Sequence, residues 1–146
     1  MKSEMHKLHL LSLVFISILI TACASTPYTR LKTPAISGTI SINNQAAQGL
    51  PVYLSIKGDD SQCFKIATEV VTGPDGEFHI KTIKEQLPHA PIMKYYLDEW
   101  NICTQYKDQR INLYSGNRYG TGSVNASLNL RCELSKSTLD DYCSAR

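Results

Sequence analysis

The chain has little of what marks nucleic-acid-binding, membrane-spanning or zinc-binding proteins. Its 15 Lys and Arg nearly balance its 13 Asp and Glu, leaving a formal net charge of +2. With no basic stripe, nothing recommends a nucleic-acid partner. The one long apolar run, residues 8–20, is interrupted by His9, Ser12 and Ser17. As a helix it would span only about 20 Å, short of a hydrocarbon core of about 30 Å, so a transmembrane anchor is the weaker reading. No CxxC pair exists, and of the 4 histidines only His79 and His89 lie beyond residue 22, which disfavours a zinc site. Amphipathic helical periodicity is almost absent, which argues against an α-helical domain.

What is present begins with an address. Lys2 and Lys7 precede the apolar run, which ends in Ile20-Thr21-Ala22-Cys23. This is a short charged region, a hydrophobic region, and small residues before a cysteine. The pattern resembles the lipobox of bacterial lipoproteins. That resemblance implies cleavage between Ala22 and Cys23, diacylglycerol on the Cys23 thiol, and acylation of the new amino terminus. Ala24 follows rather than an acidic residue, which by the same resemblance implies the outer membrane, with the domain facing the periplasm. An ordinary secretory signal with a coincidental cysteine is the alternative. One acyl chain gives reversible attachment and two or three a stable anchor, so the expected partner of the amino terminus is the membrane.

Removing residues 1–22 from the 146 leaves 124, enough for one domain with its own core. Setting Cys23 aside leaves Cys63, Cys103, Cys132 and Cys143. An even set in an exported domain reads as two disulfides; three pairings are open, and we favour Cys63 with Cys103 and Cys132 with Cys143. Residues 23–34, small, polar and carrying Pro27 and Pro34, read as a tether, and residues 35–146 as one domain.

Strand-like alternation recurs along that domain. Ile36, Gly38, Ile40 and Ile42 share one face; Val52, Leu54 and Ile56 share another, with Tyr53 and Ser55 expected outside. Phe64, Ile66, Thr68 and Val70 form a third strand. Gly73-Pro74-Asp75-Gly76 is a turn that would return Phe78 and Ile80 in a hairpin. A strand is expected near residues 92–97, followed by a stretch of ambiguous period through Trp100, Ile102 and Tyr106. Residues 116–122 read as a loop. Val124, Ala126, Leu128, Leu130, Cys132 and Leu134 form the cleanest alternation, predicted to be a central strand. Ser137 and Asp140 suggest the start of a short C-terminal helix. The expected fold is an all-β, antiparallel sandwich of about seven strands.

Ile36-Ser37-Gly38-Thr39-Ile40, Gly49-Leu50-Pro51-Val52-Tyr53-Leu54, Ala67-Thr68 and Thr72-Gly73-Pro74-Asp75-Gly76-Glu77-Phe78 resemble the carboxypeptidase regulatory-like or transthyretin-like domains. The likeness covers residues 36–83, and it fails at Leu87-Pro88-His89-Ala90-Pro91, where the family has a Leu-Pro-Gly-x-Tyr strand start. It implies a noncatalytic folding, spacing or binding module, with no catalytic residue to carry over.

For hydrolysis, only His79 and His89 remain as bases after residue 22, and both read as solvated surface residues. Asp59-Asp60 and Asp140-Asp141 lack the alternating ligands of a calcium loop. No cofactor or metal is expected. Tyr95, Tyr96, Trp100, Tyr106, Tyr114 and Tyr119 concentrate beyond the family likeness, and Trp100, Arg118 and Tyr119 form the candidate binding surface, since Trp, Tyr and Arg are enriched at interface hot spots. The expected role is a lipid-anchored, noncatalytic envelope scaffold or interaction module with a protein partner. The competing roles are a carbohydrate- or peptidoglycan-binding module and a small hydrolase or hydrolase inhibitor.

Overall fold

The computed structural model describes residues 27–56, 60, 62–90, 96–120, 127–135 and 142–146. The expected leader at residues 1–22, Cys23, Tyr95, Val124, Ala126 and the expected helix at Ser137–Asp140 lie outside the described residues. Among the described residues every regular element is a strand: β1 (Tyr28–Leu31), β2 (Ala35–Ile42), β3 (Gln45–Ala46), β4 (Pro51–Ser55), β5 (Ile66–Val71), β6 (Glu77–Ile80), β7 (Lys84–Leu87), β8 (Tyr96–Tyr106), β9 (Gln109–Gly120), β10 (Ser127–Glu133) and β11 (Cys143–Ala145). The fold is all-β, with more strands than the sequence suggested.

Two sheets face one another. One runs β11-β10-β2-β3, with β6 also pairing β2; the other runs β5-β4-β8-β9. Their inner faces share one core in which Ile36, Ile40, Phe78, Ile80 and Leu130 meet Val52, Leu54, Trp100, Ile102 and Leu113. The alternation in β2, β6 and β10 is that of strands with one face in the core and one in water. Gly38 is required where it stands, because a Cβ there would lie 2.6 Å from the Leu130 carbonyl oxygen and 2.8 Å from the Phe78 ring. β10 is internal, as its pattern predicted, but it pairs β2 in parallel from Ser127↔Ala35 to Glu133↔Ser41. Its other neighbour is the antiparallel β11. The remaining pairings are antiparallel. A parallel pair needs no tight turn, and most of the chain separates these two strands.

The structure corrects three local expectations. Residues 73–76 do turn, with Gly76 at φ 71°, but β5 pairs β4 while β6 pairs β2. The turn therefore carries the chain from one sheet to the other and closes no hairpin. Phe64 lies before β5 and is 72% exposed, and Ile66 and Val71 are exposed too, because β5 is an edge strand. Tyr53 and Ser55, expected outside, are buried, since the segment carrying Cys63 folds over that face. Pro51 opens β4, an internal strand; at the first position its missing N–H is tolerated.

Part of the expected tether is folded. β1 pairs β7 from Tyr28↔Leu87 to Leu31↔Lys84, and Arg30 and Thr33 are buried. The Arg30 guanidinium is chelated by the Asp98 carboxylate, with Nη2 2.9 Å from Oδ1. Nη2 also donates to Glu85 Oε2 at 2.9 Å, and the group stacks 3.9 Å from the Tyr96 ring centroid. Burial disfavours the charged guanidinium, but the hydrogen bonds to Asp98 and Glu85 outweigh it and raise its pKa. This cluster fastens β1 and β7 to the start of β8.

Both disulfides form with the favoured pairing, Cys63 with Cys103 and Cys132 with Cys143. Cys132 and Cys143 are directly opposed on β10 and β11, Cα to Cα 4.0 Å. The bond therefore ties the last strand to the sheet.

Candidate functional site

The three residues of the candidate binding surface fall on β8 and β9 and do not form one exposed platform. β8 and β9 meet in a hairpin whose two-residue turn, Lys107 and Asp108, takes positive φ at 48° and 61°, the geometry of a tight twisted turn. The register runs Leu97↔Tyr119, Asp98↔Arg118, Trp100↔Gly116 and Ile102↔Tyr114, then slips, so that Cys103 faces Asn112. Leu113 is the extra residue, and it is buried. The bulge reverses which face successive residues occupy.

Trp100 is 6% exposed and belongs to the core, which corrects its assignment to a surface. Residues 116–120, expected in a loop, belong to β9. Gly116 is needed there because the Trp100 indole occupies the place of a side chain: a Cβ on Gly116 would lie 2.4 Å from Nε1. Arg118 is half-buried on that same inner face, and Tyr119 is 69% exposed on the opposite one beside Leu97. Among the described residues, no hydrogen-bond partner reaches the buried Trp100 indole N–H or Arg118 Nη1. Asp98, opposite Arg118, gives both carboxylate oxygens to Arg30.

On the outer face of β4 and β8, Tyr53 and the Cys63–Cys103 disulfide make a second, smaller cluster. Arg110 covers it, 4.4 Å above the Tyr53 ring, and donates to the Cys63 carbonyl at 3.0 Å. The Cys63 segment is held by Asp60, which accepts from the backbone N–H of Phe64 at 2.8 Å and of Lys65 at 2.6 Å, and from the Ser55 hydroxyl at 2.9 Å. Desolvation pushes its carboxyl up, but these donors outweigh it and hold the pKa below the ordinary aspartate value. Asp60 is thus a structural acceptor. Among the described residues no three His, Cys, Asp or Glu side chains gather as metal ligands.

The outer face of the other sheet is polar. Ser37 and His79 oppose each other across β2 and β6, with Oγ 2.8 Å from Nδ1. This is the serine–histidine proximity that a hydrolase would need, but it lies on the exposed face, outside the two clefts that Ser41, Asn44, Arg131 and Arg146 line among the described residues. His89 is exposed. Further along, Glu133 accepts from the Ser41 hydroxyl at 2.7 Å, the Asn43 and Asn44 amides at 2.9 and 3.2 Å, and both the amide and hydroxyl of Ser135. The Ser135 hydroxyl, then the Ser41 hydroxyl and the amides, outweigh desolvation and lower its pKa to about 2. Asn43 and Asn44, at φ 52° and 61°, form the turn into β3 that this carboxylate caps.

Beside Glu133 an open cleft of about 390 Å³ is lined by Thr39, Ser41, Asn129, Arg131 and Arg146, with Asp75 at its rim. Arg131 and Arg146 also line its neighbour, with Tyr142. Sequence reading passed over this region because Arg131 sits in a strand as an unremarkable outward residue; only the basic position between Leu130 and Cys132 marked it. Arg30 carried no signal, standing in what read as a linker. No protein-family model and no curated protein matches the chain.

Proposed function

We propose that the protein is a lipid-anchored, noncatalytic interaction module of a bacterial cell envelope, held to the membrane through Cys23 and binding a protein partner. The observation that carries this reading is the cysteine arithmetic. Cys63, Cys103, Cys132 and Cys143 are consumed in two disulfides, which suits an oxidising, extracytoplasmic compartment. The one cysteine left is Cys23, directly after an apolar leader. Since β1 starts at Tyr28, lipid on Cys23 would leave a link of only about 17 Å at full extension. The sandwich would ride close to the membrane surface, with its long strands presented to neighbouring proteins.

The test is in-cell crosslinking of the full-length protein against a Cys23→Ala variant. The reading expects membrane fractionation and one reproducible crosslinked partner, both lost in the variant. Persistence of membrane attachment in the variant would contradict the anchor; no partner in either would contradict the interaction role. Turnover abolished by Ser37→Ala would contradict the noncatalytic assignment.

A glycan-binding role keeps one specific observation in its favour, the cleft over Arg131 and Arg146. The aromatic platform first suggested for it loses Trp100 to the core and Tyr96 to the Arg30 cluster.

A further inference from the structure

If the chain is an interaction module, its contact surface remains to be found, and two independent features meet at one edge. β9 is 12 residues long and, among the described residues, pairs only with β8. Sheets protect such edges with short strands, lysine or proline, yet Gln109–Gly120 contains neither residue. Among the described residues its protections are the bulge at Leu113 and the charges of Arg110 and Arg118. β5 and β11, at other sheet margins, have 6 and 3 residues. The second feature is the pair of orphaned donors. Trp100 is 94% buried with its N–H unmade and flush against Gly116 of β9. Arg118, two residues further along the same face and so roughly 7 Å away, carries the other unmade donor.

We propose that β9 is the docking strand of the module: an extended segment of a partner protein adds to the sheet beside β9, and an Asp or Glu of that segment accepts from Trp100 Nε1 and Arg118 Nη1. Charge selects the occupant. β9 carries Arg110 and Arg118 and no acidic residue, so two copies of β9 offer each other no complementary charge in any register. An acidic strand does. Main-chain pairing then supplies affinity, and the carboxylate supplies selectivity.

This inference rests on the interaction-module reading, and its test is separable from it. Full-length protein in detergent is titrated by fluorescence anisotropy with a labelled strand peptide of alternating Thr and Val bearing two central glutamates, and with a twin in which both are lysine. The glutamate peptide should bind at least tenfold more tightly than its twin and should protect amides of β9, not those of β5, from hydrogen exchange. Trp100→Phe and Arg118→Ala should each weaken it about tenfold. Trp100→Phe should leave the denaturation midpoint unchanged or higher, because it removes a buried unmade donor while keeping an aromatic ring. Equal binding of the two peptides, or no binding, overturns the proposal. So does undiminished binding by both variants, which would assign the orphaned donors to buried water alone. A partner crosslinked through the anchored protein while neither peptide binds would retire β9 and leave the module reading standing.

Discussion

On the outer face of β5-β4-β8-β9, Tyr53, the Cys63–Cys103 disulfide and Arg110 close a second small core, whereas the outer face of β11-β10-β2-β3 stays in water and is organised by the carboxylate of Glu133. The first is a covalent and apolar solution, the second an electrostatic one. They should fail under different conditions: the covered face on reduction, the hydrated face on acidification. Each also explains a neighbouring loop. Cys63 fixes the segment before β5, and Glu133 fixes the turn between β2 and β3.

The largest effect should come from opening the covered face. Cys63 and Cys103 are 40 residues apart in sequence, and for a loop of that size the chain-entropy model gives about 4 kcal/mol. A Cys63→Ser, Cys103→Ser double variant should therefore lose about 4 kcal/mol in guanidinium unfolding, together with amide protection around Tyr53. Cys132 and Cys143 are 11 apart, so the matching double variant should lose about 3 kcal/mol, with new exchange confined to β11 and its partner β10. If both variants lost the same protection pattern, the two faces would not be independent.

The smallest effect sharpens the contrast through pH. Glu133 is held to about 2 in the folded protein, below its unfolded value. The stability it contributes is therefore complete above that unfolded value, about 4.3, and is lost as pH falls from there toward 2. Glu133→Gln should cost about 1 kcal/mol at neutral pH, in line with the net worth of one or two of its hydrogen bonds, and should flatten the acid limb of the stability curve. The Cys63→Ser, Cys103→Ser variant should keep that limb unchanged. A wild-type midpoint that does not move between pH 5 and pH 2.5 would contradict the role given to Glu133.

The same contrast marks where the sequence could be read. β2, β6 and β10 alternate cleanly because one face is wet, and Ile36, Ile40, Phe78, Ile80, Leu130 and Cys132 were all legible as core. β4 and β8 are covered on both faces, so Val52-Tyr53-Leu54-Ser55 and residues 100–104 are buried in succession and their period is lost. In β9 the bulge at Leu113 shifts the phase, which turned Gly116 and Gly120 into apparent loop residues. The jump between sheets at residues 73–76 could not be told from a hairpin, because the turn residues are the same in either case. Of the candidate binding residues, Arg118 and Tyr119 were placed on β9, while Trp100 entered the core through the gap left by Gly116.

Under the proposed function the chain is exported, cut and lipidated at Cys23, with its other cysteines paired. Intact-mass spectrometry of the protein extracted from a bacterial envelope tests it most directly, before and after reduction and alkylation. The expected product is a mature chain beginning at Cys23, heavier than its polypeptide by two or three acyl chains and a glycerol, that takes up 4 alkyl groups only after reduction, one for each cysteine in the two disulfides. A chain that retains residues 1–22, begins at another residue, or alkylates at Cys23 without reduction would contradict it.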